Sequence, residues 1–147
     1  MVIFYLLAIT IGFLVAFQSG LNAELSKAIN SNIWAAVISF FVGLVVLLLY
    51  MFATQQPLSV KKLAAVPPYL FIGGALGAMF VLSIIILFPK IGAVNVVMFT
   101  VTGQMLCSLI IDHYGWFNAP INPINWQKVA AILLMLIAVF WFQRSRV

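Results

Sequence analysis

The chain opens on an almost wholly apolar run, Val2 to Phe17, and then the pattern changes: FQSGLNAELSK, residues 17–27, carries Gln18, Asn22, Glu24 and Lys27. Four further long apolar runs follow. A helix needs about 20 apolar residues to cross roughly 30 Å of hydrocarbon. Five segments meet that length, at about 2–25, 33–54, 68–88, 91–111 and 126–143. Ser31 is the expected N-cap of the second, since its hydroxyl can accept from an orphan amide of the first turn. Pro67 and Pro68 stand at the first turn of the third, where a missing N–H costs little. All six prolines (57, 67, 68, 89, 120 and 123) read as lying between spans or at their starts, and Pro89–Lys90 leaves room only for a tight hairpin between spans three and four. The longest connection, YGWFNAPINPINW (114–126), has the Asn and Pro content of turns. Trp34, Tyr69, Tyr114, Trp116, Trp126 and Trp141 mark the span ends, as expected of rings that favour the headgroup region.

Composition excludes water as the solvent of this surface. Of 147 residues 66% are hydrophobic and 6% charged, against roughly a quarter charged in a soluble domain. The expected fold is all-α: a polytopic membrane protein with five transmembrane helices in one domain. The first span lacks a positively charged leader, so it is expected to be retained rather than cleaved. The net charge of +5 is dispersed along the chain and forms no basic patch for nucleic acid. A lone Cys107 excludes an intramolecular disulfide and a multi-cysteine metal site, and it reads as a small buried hydrophobe. Neither a metal nor a cofactor is implied.

Charge placement does not choose an orientation. Five spans put the termini on opposite faces. The N-terminal face (A) holds Lys61, Lys62 and Lys128 with Asp112 and His113; the other (B) holds Lys27, Lys90, Arg144 and Arg146 with Glu24. Three cations against four is a weak bias, further offset by the N-terminal amine, and Lys/Arg excess is what normally orients a membrane protein. The chain is therefore expected either to insert both ways and pair as an antiparallel dimer, or to favour a cytoplasmic face B. Two opposed copies would rebuild the inverted repeat on which many transporters rely.

Polar groups at membrane depth are the candidate chemistry. With span one centred near Leu14, Gln18 lies roughly 6 Å and Asn22 roughly 12 Å toward face B, on one helical face. With span four centred near Thr102, Asn95 lies roughly 10 Å toward face B and Gln104 roughly 3 Å toward face A. Such amides must face protein or a wet cavity, so Gln18, Asn22, Gln104 and Asn95 are the candidate substrate-binding residues. Thr100, Thr102, Ser108, Ser39 and Ser83 are read as interhelical hydrogen bonds. Gly73 and Gly77, four apart, are assigned to close helix packing. No ionisable residue lies mid-span. Glu24, Asp112 and His113 are interfacial charges, with Asp112 expected to pair with Lys61, Lys62 or Lys128, and Glu24 with Lys27 or Lys90.

FQSGLNAELSK, AAVISFFVGL (35–44), FIGGALGAMFVLS (71–83) and GQMLCSLIIDHYGWF (103–117) together resemble the YdcZ-type five-span family of the drug/metabolite transporter superfamily. The resemblance keeps the order of all five spans. It implies a half-size exporter unit in the bacterial inner membrane, assembling in pairs, with dual topology in some members. Its four-span relatives use an acid within the first span, where this chain has Gln18 and Asn22; that departure weighs against cation–proton antiport. The leading expectation is a small-molecule transporter acting as a dimer by alternating access, with itself or a paralogous five-span chain as partner. Neutral lining suits a polar uncharged, zwitterionic or aromatic-bearing solute better than a bare cation. The alternative is a non-transporting structural or accessory membrane subunit whose amides only hold helices together. An enzyme is not expected, because no base and nucleophile share a depth.

Overall fold

The structure is a computed structural model; it describes residues 2–57 and 60–145, with only the backbone of Val60. Arg146 and the N-terminal amine, counted above for orientation, lie outside the described residues. The helices are α1 (Val2–Ile29), α2 (Asn32–Ala53), α3 (Val60–Ala64), α4 (Ile72–Ile91), α5 (Ala93–Tyr114) and α6 (Trp126–Arg144). Tight 3-10 turns at Pro68–Phe71 and Trp116–Asn118 precede α4 and follow α5. Five helices, α4 together with its leading turn, are long and apolar enough to cross a membrane. Among the described residues there is no strand, so the architecture is all-α and polytopic.

Helix ends follow local chemistry. α1 runs past the apolar stretch to Ile29, about 42 Å at the usual rise. Asn30 ends it in the left-handed conformation (φ 53°). There the Ser31 N–H donates to the Ser26 carbonyl and the Asn30 N–H to the Lys27 carbonyl, a paired closure that satisfies the last orphan carbonyls. The Ser26 hydroxyl donates to Asn32 Oδ1 at 2.5 Å, tying α1 to α2. Ser31 caps α2 as expected, accepting from the Trp34 N–H at 3.3 Å, and Asn125 caps α6, accepting from the Lys128 N–H at 2.9 Å. Pro89 corrects the proline map: it stands inside the last turn of α4. A proline there removes one late hydrogen bond, and the helix stops two residues on, before Gly92 at φ 80°.

The chain divides into two compact units, Met1–Ile91 and Gly92–Val147. In the first, α1, α2 and α4 pack together. The buried stripe of α1 is Ser19, Asn22, Ala23 and Ser26, at the three- and four-residue spacing of one face. Opposite it lie Ala35 and Ala36 of α2 and Ile84 and Ile85 of α4. Lipid supplies no hydrophobic drive between helices, so close approach of small residues is what holds such a contact. Here serine and alanine make it. Gly73 and Gly77 do not: a Cβ built on either meets nothing within 4 Å, because both lie on a stretch of α4 that its neighbours do not reach. All residues from Val2 to Val15 of α1, from Phe40 to Tyr50 of α2 and from Pro67 to Leu76 are exposed. The first unit is thus packed at one end of its helices only.

In the second unit α5 and α6 pair, burying Val96, Thr102, Ile132 and Val139. Thr102 and Thr100 do not bridge helices. Their hydroxyls donate to the carbonyls of Met98 (2.7 Å) and Val96 (2.8 Å) on their own helix, the cheapest partner for a hydroxyl in an apolar medium. Cys107 is exposed on α5, not buried in protein, since that helix has one neighbour in its unit and leaves most of its circumference uncovered. The six boundary aromatics are all exposed and all stand at or near helix ends.

Candidate functional site

The polar chemistry of the second unit gathers where α5 ends and α6 begins. Gly115 closes α5 at φ 65°, its N–H donating to the Ile111 carbonyl. The connection then folds back on the helix it has left. The Asn122 N–H donates to the Asp112 carbonyl at 2.8 Å. The Ile124 N–H donates to His113 Nδ1 at 3.0 Å, which makes Nδ1 the unprotonated nitrogen of a neutral imidazole. The His113 ring meets Tyr114 edge-on, and Tyr114 stacks on Trp116. Lys128, on the first turn of α6, donates to the Asn122 carbonyl (2.7 Å), to Asn122 Oδ1 (2.6 Å) and to the Pro123 carbonyl (2.8 Å). An ammonium has three N–H groups, and these three bonds use all of them. The loop is therefore a strap, fastened from both helices.

Gly115 is the position where this strap tolerates no side chain. A Cβ there would stand 2.7 Å from Ile121 Cγ1, on a backbone at positive φ. Gly115→Ala is expected to lower stability by about 1–2 kcal/mol from the backbone conformation, with displacement of Ile121 in addition. An unchanged melting temperature would show that the turn relaxes freely.

Beneath the strap, α5 and α6 form a groove of about 410 Å³, lined by Val101, Gln104, Met105, Ser108, Leu109, Asp112, Lys128, Ala131 and Ile132. Gln104, Ser108 and Asp112 are spaced by four residues, so they form a ladder with steps of about 6 Å along one face of α5. The pairing expected between Asp112 and Lys128 is not formed, although both line the groove: the lysine's donors are turned to the strap. Among the described residues the ion pair is Lys27–Glu24, at 3.5 Å on the surface, one of the two partners expected for Glu24.

The predicted amides fall in both units. Gln104 lines the groove of the second unit and is exposed. Asn95, near the start of α5, is half-buried with its Oδ1 fully covered, and does not line the groove. In the first unit Gln18 and Asn22 line one small cavity of about 20 Å³ with Ser19, Phe80, Val81 and Ile84, Asn22 buried and Gln18 exposed. That volume holds one water. Gln18 also faces an open groove of about 360 Å³ with Ser39, Phe40 and Gly43. Sequence reasoning named Lys128 only as a partner for Asp112 and missed the involvement of Ser108 and Asp112 in the groove, for which the four-residue spacing from Gln104 was the available signal.

The family described as "Putative inner membrane exporter, YdcZ" matches residues 3–141. The chain belongs to the YdcZ family. No curated protein and no solved structure matches it. The YdcZ match includes every residue of the groove and at least most of each of the five spanning helices, so the strap, the ladder and the amides all lie within the family's matched sequence. Five helices able to span a membrane and an inner-membrane family make the protein a multi-pass membrane protein of a family described as exporters.

Proposed function

We propose that this chain exports a small molecule across the inner membrane by alternating access, as a dimer of five-span chains in antiparallel orientation, with the α5–α6 groove as its substrate site. The observation that carries the reading is the groove itself. In a chain with so few polar residues, Gln104, Ser108 and Asp112 converge on a single concave surface of about 410 Å³. Polar side chains within a membrane are costly and are functional candidates by default, and the volume suits a small solute. Gln18 and Asn22 are proposed as further polar contacts on the solute's route.

Three observations support a dimer. The cations divide three to four between the faces. The helices of the first unit leave one end uncovered. Gly12, Gly43, Gly73, Gly74 and Gly77 have open space where a Cβ would stand, and small residues are what close helix contacts use in lipid. A reporter fused after Val147 in intact cells tests the arrangement. Signal from both sides of the membrane is expected. Signal from one side alone would overturn the antiparallel homodimer and leave a parallel dimer or an oppositely oriented paralogue.

A further inference from the structure

Resting on the reading of the α5–α6 groove as the substrate site, we infer that it selects a solute with an ammonium group and a small apolar body, and that Asp112 is the residue that selects it. Sequence alone pointed to neutral lining by amides, with Asp112 as an interfacial charge expected to pair with a lysine. The structure changes that accounting. Among the described residues the cation of the groove is Lys128; it has its three donors on Asn122 and Pro123, so it has none left for a carboxylate, whether that of Asp112 or that of a solute. Asp112 makes no ion pair among the described residues. Its position adds to the effect: it is the third residue from the C-terminal end of α5, the negative end of the helix dipole.

The remaining polar groups suit the same ligand. Gln104 Oε1 and Ser108 Oγ are acceptors on the ladder leading inward from Asp112, about 12 Å from end to end. An ammonium carries three donors and no acceptor, so it can be handed from carboxylate to hydroxyl to amide, each of which accepts from it. A carboxylate on the solute would meet Asp112 with like charge and find no donor on Lys128. The rest of the lining, Val101, Met105, Leu109, Ala131 and Ile132, is apolar and takes a hydrocarbon body.

The test uses the purified full-length chain in lipid nanodiscs and three probes of nearly one shape: phenethylammonium, the neutral 2-phenylethanol and the zwitterion phenylalanine. Binding is read by titration calorimetry. The wild type is expected to bind phenethylammonium roughly tenfold or more tightly than either other probe, the span of a hydrogen bond to a charged group. Asp112→Asn should bring phenethylammonium and 2-phenylethanol to within about threefold of each other, and Asp112→Glu should keep the preference. Equal wild-type affinities for the ammonium and the alcohol would overturn the inference, whether or not Asp112→Asn folds, and so would a preference that survives in a folded Asp112→Asn. In both cases binding that Gln104→Leu weakens would leave the groove standing as the site. If instead Gln104→Leu leaves all binding unchanged, or no probe binds, the groove reading fails and this inference fails with it.

Discussion

Gln104→Leu is expected to abolish transport and leave the chain folded. Gln104 is exposed on α5, so nothing packed against it has to move. Leucine has similar volume, equals glutamine in helix propensity and is at home in hydrocarbon. Folding should therefore be indifferent to the change, or slightly favour it. The groove, by contrast, loses its innermost donor and acceptors. A solute group bound there would be left without a partner at a cost of about 1–3 kcal/mol, which is roughly tenfold to a hundredfold in affinity. The measurement is flux into proteoliposomes with a panel of labelled amines, amino acids and neutral solutes, read beside the melting temperature. Wild-type flux in the variant would remove the groove as the site. A variant that no longer folds would favour the accessory-subunit reading, in which the amides serve only assembly. Asn22→Leu is a less clean probe, because Asn22 is buried against Phe80, Val81 and Ile84; its effect on transport must be separated from repacking.

Lys128→Met should release the strap. The methionine keeps most of the apolar stem and removes three charge-assisted bonds of 2.6–2.8 Å. Such bonds contribute about 1.5–3 kcal/mol each where water is excluded. Lys128 is only half-buried, so the expected total loss is about 2–4 kcal/mol rather than the full sum. The local readout is thiol labelling of Ala119→Cys in a Cys107→Ser background, expected to accelerate with the lysine gone while the melting temperature falls. Lys128→Arg should recover part of both, since a flat guanidinium fork fits a three-way acceptor cage poorly. Unchanged labelling and melting would mean that the bonds from Asn122 N–H and Ile124 N–H hold the loop without help.

The helices were legible in the sequence because an apolar run of membrane length permits little else. Ser31 was legible as a cap because its chemistry is local. The extra length of α1 was legible in part: the expected span already ran to about residue 25, past the end of the apolar run near Gln18, and the helix continues to Ile29 on a buried stripe of Ser19, Asn22 and Ser26. Pro89 misled because proline ends helices more often than it is absorbed into their last turn. A Cβ built on Gly73 or Gly77 meets nothing within 4 Å; four-residue spacing shows that a close approach is possible but not which partner makes it. At the candidate site, Gln104 stood out as an amide in an apolar run. The fate of Lys128 depended on how residues 115–125 fold back, and nothing in that turn-rich stretch announces which carbonyls will converge on an ammonium.

The one-ended packing of the first unit has a mechanical consequence. Ser19–Ser26, Ala35–Ala36 and Ile84–Ile85 form a fulcrum, and the helix arms beyond it are exposed along their length. The arm of α1 from Val2 to Val15 is about 20 Å long, so a rotation of about 10° at the fulcrum carries its tip by about 3–4 Å. Along the arm that displacement exchanges one lipid neighbour for another. Leverage of this kind turns a small change of seating at the packed end into a larger displacement at the open end.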